Sequence, residues 1–255
     1  MLRFLKNLFK APQEALACFG RTDTGMVRKN NEDNFAILAE RNLFVVADGM
    51  GGHQAGEIAS RVATENLIDF FSAEKIREIR GNPAAIQHGL IASFYRTNER
   101  VMDMAAEQAE LHGMGCTLVA CLVDGDAAYI CHVGDVRAYL DDGYILKQLT
   151  NDHSLVVDQA AGLNGTGAAS GAGRNIITRA IGFPFAEDPE FHRVALTPGH
   201  KILLCSDGLW GMVGDEEMQQ ILSSAGSPEE ACDNLVRRAN EAGGKDNITA
   251  VVVYV

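Results

Sequence analysis

Apolar positions along the chain fall into two periodicities. Short β-type runs alternate with longer helical stretches. LeuPheValValAla (43–47), ThrLeuValAlaCysLeuVal (117–123), AlaAlaTyrIleCysHisVal (127–133), IleLeuLeuCysSer (202–206) and IleThrAlaValValValTyrVal (248–255) are compact apolar runs of strand length. Turn residues separate several of them: GluArgAsn (40–42), AspGlyAsp (124–126) and AspAspGly (141–143). Asx and Gly residues supply the backbone angles of tight hairpins, so adjacent strands are expected to be antiparallel. Helical spacing governs 55–72, with Ile58, Val62, Leu67, Phe70 and Phe71 on one side. It also governs 83–110, with Ile86, Leu90, Phe94, Val101 and Ala105. Further helices fit 215–224 and 228–241, the latter stopping before Gly243-Gly244. Hairpins and helices in blocks, without regular βαβ alternation, predict an α+β fold of antiparallel sheets with helices on their outer faces.

Two segments stand apart. MetLeuArgPheLeuLysAsnLeuPheLys (1–10) is a short basic amphipathic pattern that can touch a membrane surface. At about ten residues it is marginal as a free helix, and packing on its own domain or fraying is the preferred reading. Residues 160–173 are almost free of functional side chains and read as a mobile loop, either a flexible lid or a dispensable connector. The expected organisation is therefore an N-terminal extension over 1–18 and a single domain over 19–255.

Composition narrows the class. With 47% hydrophobic and 22% charged residues, 26 glycines and 6 prolines in 255, the chain is globular rather than fibrous or disordered. Its net charge of −12 argues against nucleic acid as a partner. The six cysteines include no CxxC pair, and several lie inside apolar runs, as reduced thiols of a cytoplasmic protein do. No apolar run reaches the ~18 residues that span a bilayer, and the N-terminus lacks a small-residue cleavage site.

The candidate chemistry is carboxylate. Glu32, Asp33, Asp48, Asp135, Asp152, Asp207 and Asp246 sit at strand ends or in turn-like contexts, bordered by Gly, Asn, His or Ser. Converging carboxylates in a partly buried cleft repel one another unless hard, oxygen-ligated cations compensate, which implies Mg²⁺ or Mn²⁺. Zinc is disfavoured around these acids because His and Cys are not gathered there. Asp48-Gly49-Met50-Gly51-Gly52-His53 is the most specific element, an acid before a glycine-rich turn that leads into a helix.

Eight ordered blocks carry a resemblance. They are ThrGlyMetValArgLysAsnAsnGluAspAsn (24–34), AlaAspGlyMetGlyGlyHis (47–53), GlyCysThrLeu (115–118), HisValGlyAspValArgAlaTyr (132–139), LeuThrAsnAspHisSer (149–154), IleThrArgAlaIleGly (177–182), CysSerAspGlyLeuTrp (205–210) and GlyLysAspAsnIleThr (244–249). In these the chain resembles the metal-dependent PPM or PP2C-type protein serine/threonine phosphatases, particularly compact bacterial members, over about residues 19–255. The resemblance implies a four-layer αββα sandwich with the metal site at one end. It implies hydrolysis of phosphoserine and phosphothreonine by in-line attack of a hydroxide shared by two Mg²⁺ or Mn²⁺ ions. The partners it implies are phosphorylated proteins and a cognate Ser/Thr kinase in bacterial signalling.

Residue by residue, the resemblance implies that Asp48 bridges two metals and that the Gly49 carbonyl ligates one of them. Asp207 and Asp246 complete the other site, Glu32 and Asp33 act through bound waters, and Asp135 holds a third, weaker ion. Arg28 is implied to grip phosphate oxygens. Met50 stands where eukaryotic relatives have a histidine, and the histidine falls at His53 instead. Residues 160–173 lack the charges of the usual bacterial flap.

The plainer readings make Arg28 a surface salt-bridge residue, His53 a helix-start polar residue, and Asp152 or Ser154 a cap. His132 and His153 read as structural. The rival class is a non-catalytic module that keeps the fold and binds phosphoproteins.

Overall fold

Solvent reaches neither face of the central strands, which is why their sequences read as unbroken apolar runs rather than as alternation. In chain order the described elements are β1 (Ala17–Asp23), β2 (Asp33–Leu38), β3 (Leu43–Met50), α1 (Ala55–Phe70), α2 (Ala73–Ile79), α3 (Pro83–Glu107), β4 (Gly115–Asp124), β5 (Ala127–Val133), β6 (Arg137–Asp141), β7 (Leu146–Gln148), β8 (Ser154–Val157), β9 (Arg174–Ile177), β10 (Glu190–Ala195), β11 (Lys201–Cys205), α4 (Asp207–Trp210), α5 (Asp215–Ser224), α6 (Pro228–Glu241) and β12 (Ile248–Tyr254). The structure, a computed structural model, describes residues 16–51, 55–157 and 174–255. The segment 1–10, His53 and the stretch 160–173 lie outside the described residues.

Two five-stranded antiparallel sheets form the frame, ordered β1-β12-β11-β6-β7 and β10-β5-β4-β3-β2, with β8 and β9 as a separate hairpin pair. Three apolar layers hold them. Leu43, Val45 and Ala47 of β3 pack with Leu67 of α1 and with Leu90 and Phe94 of α3. Phe44 and Val46 of the same strand face Leu204, Val251 and Val253 of the opposite sheet. Leu203, Ala250 and Val252 meet Leu222 of α5 and Leu235 of α6 on the far side. The order helix, sheet, sheet, helix is the expected αββα sandwich.

The predicted hairpin turns are present, with Asn42 at φ 50°, Gly125 at φ 62° and Gly143 at φ 89°. Asp142 Oδ1 accepts the amides of Tyr144 and Ile145, each at 2.9 Å, which makes 141–143 a side-chain-stabilised turn. The helices expected at 215–224 and 228–241 have those bounds, whereas 55–72 and 83–110 shorten to Ala55–Phe70 and Pro83–Glu107.

Some elements differ from the expectation. β1 begins at Ala17 and pairs along its length with β12, ahead of the first run that the apolar pattern marks as strand. Cys18, Gly20 and Thr22 are only half-buried, so the strand carries little apolar signal. α2 starts at a cap, Ser72 accepting Lys75 N–H at 3.2 Å, and is too short to show a period. Asp207 is the first residue of a helical turn rather than a strand terminus.

Candidate active site

The strand ends of both sheets deliver acids to one end of the sandwich. β2 and β3 run antiparallel in a register that sets Asp33 directly opposite Asp48. β11 ends at Cys205, and Ser206 and Asp207 follow; Asp246 and Asn247 lie just ahead of β12. Gly134 and Asp135 fill the connection from β5 to β6. The two sheets are joined here, because Asp33 Oδ2 accepts the hydroxyls of Ser206 and Thr249, each at 2.6 Å.

Close backbone approach explains the glycines. A Cβ on Gly49 would lie 2.1 Å from the Gly56 carbonyl oxygen and 2.6 Å from that of Glu32. One on Gly56 would meet Glu32 Oε2 at 2.3 Å, so the Glu32 carboxylate sits over the first turn of α1, where a helix favours negative charge. Asn247 ties the remaining loop down. Its Nδ2 donates to the carbonyls of Thr24 and Asn30, each at 2.9 Å, and its Oδ1 accepts Glu32 N–H at 2.8 Å. Arg28 Nη2 donates to Asp246 Oδ2 at 2.6 Å, with half of the arginine side chain in solvent.

The charge balance is unfavourable in the protein alone. Burial pushes the Asp48 carboxyl well above the ordinary range, and Asp33, Asp207, Asp135 and Asp246 push it further. Burial, then Asp135, Asp246 and Asp33, raise Asp207 to about 7. Asp33 is raised to about 6 by burial, against the pull of its two hydroxyl donors. Asp135 is also raised to about 6, by burial and then by Asp152. Glu32 rises through burial, with Arg28 opposing. Arg28 stays charged: partial burial disfavours its cation, and Asp246, Glu32 and Asp207 outweigh that cost.

Asp33 Oδ1, Asp135 Oδ1 and Asp207 Oδ1 are buried with no hydrogen-bond partner. An unpaired buried carboxylate oxygen is costly, and several in one place call for a cation. The donor set is carboxylate oxygen and suits Mg²⁺ or Mn²⁺. The residues fit the ions that the sequence implied.

The acids predicted from sequence do not all share one role. Asp33, Asp48, Asp135, Asp207 and Asp246 act on one another electrostatically, and Glu32 and Arg28 border them. Asp152 instead takes a two-pronged grip from Arg137, Nε to Oδ1 at 2.9 Å and Nη2 to Oδ2 at 2.7 Å. That guanidinium lies 3.6 Å over the Trp210 ring, and Trp210 Nε1 donates to the Asp135 carbonyl at 3.0 Å. Ser206, Thr249, Asn247, Arg137 and Trp210 were not singled out from sequence as site residues. All five lie inside the recognised blocks, but their types carry no chemical signal until the sheets are brought together.

The chain is similar to known proteins over most of its length. A sequence model of the family described as protein phosphatase 2C matches residues 27–251. The serine/threonine phosphatase Stp of Listeria monocytogenes is 36% identical over 238 residues, covering 91% of this chain and 93% of that one. The crystal structure of the Mycobacterium tuberculosis serine/threonine phosphatase PstP/Ppp superposes with a TM-score of 0.80 at 32% identity, covering 94% of this chain and 99% of that one. The PstP catalytic domain in complex with two manganese ions superposes with a TM-score of 0.75 at 31% identity, covering 94% of this chain and 98% of that one.

Proposed function

The chain belongs to the protein phosphatase 2C family, and from that premise we infer that it hydrolyses phosphoserine and phosphothreonine in proteins with two Mn²⁺ or Mg²⁺ ions. The observation that carries the reading is the set Asp33, Asp48, Asp135 and Asp207, the first and third buried and the other two half-buried, three of them with a buried oxygen that has no hydrogen-bond partner. Such a set is unfavourable without cations, and a module that only bound phosphoproteins would not need it.

Asp48, the Gly49 carbonyl, Asp207 and Asp246 would hold the two core ions, and Asp135 a third, weaker one. When bound, such ions neutralise phosphoryl oxygens and bring water within reach of ionisation at neutral pH. The chain's own groups do the rest. Glu32, over the first turn of α1, and Asp33, fixed by the Ser206 and Thr249 hydroxyls, orient water. Asp33 Oδ1 makes no hydrogen bond within the protein, so it keeps a lone pair for a proton of water. Arg28 spends one nitrogen on Asp246 and keeps the other edge of its fork, half in solvent, for phosphate oxygens.

The substrates are phosphorylated proteins, and the reaction reverses a Ser/Thr kinase. A cytoplasmic setting suits free cysteines and the absence, among the described residues, of a helix long and apolar enough to cross a membrane. Phosphate release from phosphothreonine and phosphotyrosine peptides, with and without manganese, tests the reading. Manganese-dependent release from the phosphothreonine peptide is the expected result. Release that is independent of metal, or confined to phosphotyrosine, contradicts it.

A further inference from the structure

The β10–β5 pair breaks its own pattern. Along β5, Ala127, Tyr129, Cys131 and Val133 face the helix layer, while Ala128 and Ile130 face the opposite sheet, as Val194 of β10 does. Two-residue alternation puts His132, Glu190 and His192 on that same inner face, where apolar residues are expected. Glu190 stands directly opposite His132 in the ladder. His132 is fully buried, and the side chains of Glu190 and His192 keep 26% and 28% of their surface in solvent.

Among the described residues these three offer donor atoms that all lie within 4.8 Å of one another. His192 Nε2 is 2.8 Å from Glu190 Oε1, yet it is buried and makes no hydrogen bond. That nitrogen is left unsatisfied within the protein, close enough to Glu190 for one ion to touch both. His132 Nε2 is 2.9 Å from the Asn151 carbonyl oxygen, and its Nδ1 is buried with no partner. A carbonyl oxygen only accepts, so Nε2 carries the ring proton and Nδ1 keeps the lone pair that a metal needs.

A supporting layer is also present. Asn151 Nδ2 donates to Glu190 Oε1 at 2.6 Å, and His153 Nε2 lies 3.1 Å from Glu190 Oε2. The His153 ring stacks on His132 with centroids 4.7 Å apart, and Arg179 Nη1 lies 3.1 Å from the same His153 Nε2. Metal-bound carboxylates and imidazoles are ordinarily oriented by such outer partners.

We propose that His132, Glu190 and His192 form a zinc site separate from the carboxylate centre. Two imidazoles and one carboxylate are a zinc donor set, with water as a fourth ligand reaching the ion past the exposed edges of Glu190 and His192. The ion would pin edge strand β10 to β5. Through His153, whose Nδ1 accepts Gly134 N–H at 3.1 Å, it would also stiffen the turn that carries Asp135.

The test titrates zinc into the full chain in excess Mg²⁺, which occupies oxygen-rich sites, and counts the zinc retained after dialysis. Wild type should retain one equivalent more than His192→Ala or Glu190→Gln, and the extra equivalent should raise Tm in wild type alone. Cobalt in its place should give the visible absorption of a nitrogen-ligated, low-coordinate ion, absent from both variants. Equal zinc content and equal thermal response in all three proteins overturn the proposal. So does a zinc content that falls only when Asp48 is changed to Asn.

Discussion

Asp33 stands directly across the β2–β3 ladder from Asp48, and the two carboxylates are treated differently. Asp33 is braced by Ser206 and Thr249, whose hydroxyls lower the cost of its charge. For Asp48, every cause of its raised pKa acts in the same direction, burial first and four acids after it. One acid is held in place by the protein, and the other is left for cations to compensate. The pair therefore divides the site into a fixed wall and a metal-dependent centre.

Without metal, the stability of the fold should decrease as pH rises. Asp33 and Asp135 are held near 6 and Asp207 near 7, against an ordinary 3.8. Between about pH 4 and 7 the native state binds protons that the unfolded chain has released, so each pH step upward costs stability. His132 and His153, both lowered by burial, act in the opposite sense and lose stability as pH falls below 6.5. Melting in chelator at pH 5.5 and 7.5, compared between wild type and Asp207→Asn, separates the two. The variant should gain most at pH 7.5, and manganese should raise the wild-type Tm more at pH 7.5 than at 5.5.

Gly49→Ala should unfold the site rather than tune it. The new methyl would lie 2.1 Å from the Gly56 carbonyl oxygen, a backbone atom that cannot swing aside. A loss of more than about 2 kcal/mol is expected from overpacking of this kind, with activity lost in parallel. Chemical denaturation measures it, and a wild-type midpoint would show that β3 and α1 are not held this close.

Much of this was legible in sequence, and what was not has physical reasons. Asp48-Gly49 ends a strand whose apolar run is unmistakable, and Asp207 and Asp246 follow and precede equally clear runs, so the acids announce themselves. Ser206 and Thr249 do not, because a hydroxyl between apolar residues reads as an ordinary strand residue until Asp33 arrives from the other sheet, 173 positions away in the case of Ser206. Asp152 reads from its local context as one of the acids or, more plainly, as a cap. Its partner Arg137 is 15 residues away on β6, a pairing that no local pattern encodes. β1 was lost for a related reason, since as the edge strand of its sheet it is only half-buried and carries almost no apolar period.

Arg137→Lys should weaken the Asp135 corner while sparing the core ions. Lysine keeps the charge but loses the two-pronged grip on Asp152 and the stacking on Trp210, a cost of about 1–3 kcal/mol. Calorimetry should show two manganese ions bound with unchanged affinity and a weaker third. Uniform weakening of all three would make Arg137 a support of the whole site.

Arg28→Ala should raise KM for phosphopeptides more than it lowers kcat, because its free edge meets phosphate in substrate and transition state alike. Loss of the Asp246 contact adds a modest fall in metal affinity, which saturating manganese offsets. An unchanged KM with a large fall in kcat would assign the arginine to the transition state, and no change in either would leave it a salt bridge.

The most direct measurement is phosphate release from a phosphothreonine peptide across a manganese titration, for wild type and Asp48→Asn at equal folded concentration. Wild type should show activity that rises from near zero and saturates with manganese. Asp48→Asn should be slower by orders of magnitude at every concentration, while melting at or above the wild-type temperature in chelator, because one repelling charge has been removed. Comparable turnover in the two proteins, or wild-type turnover that does not respond to manganese, would contradict a metal-dependent phosphatase centred on Asp48.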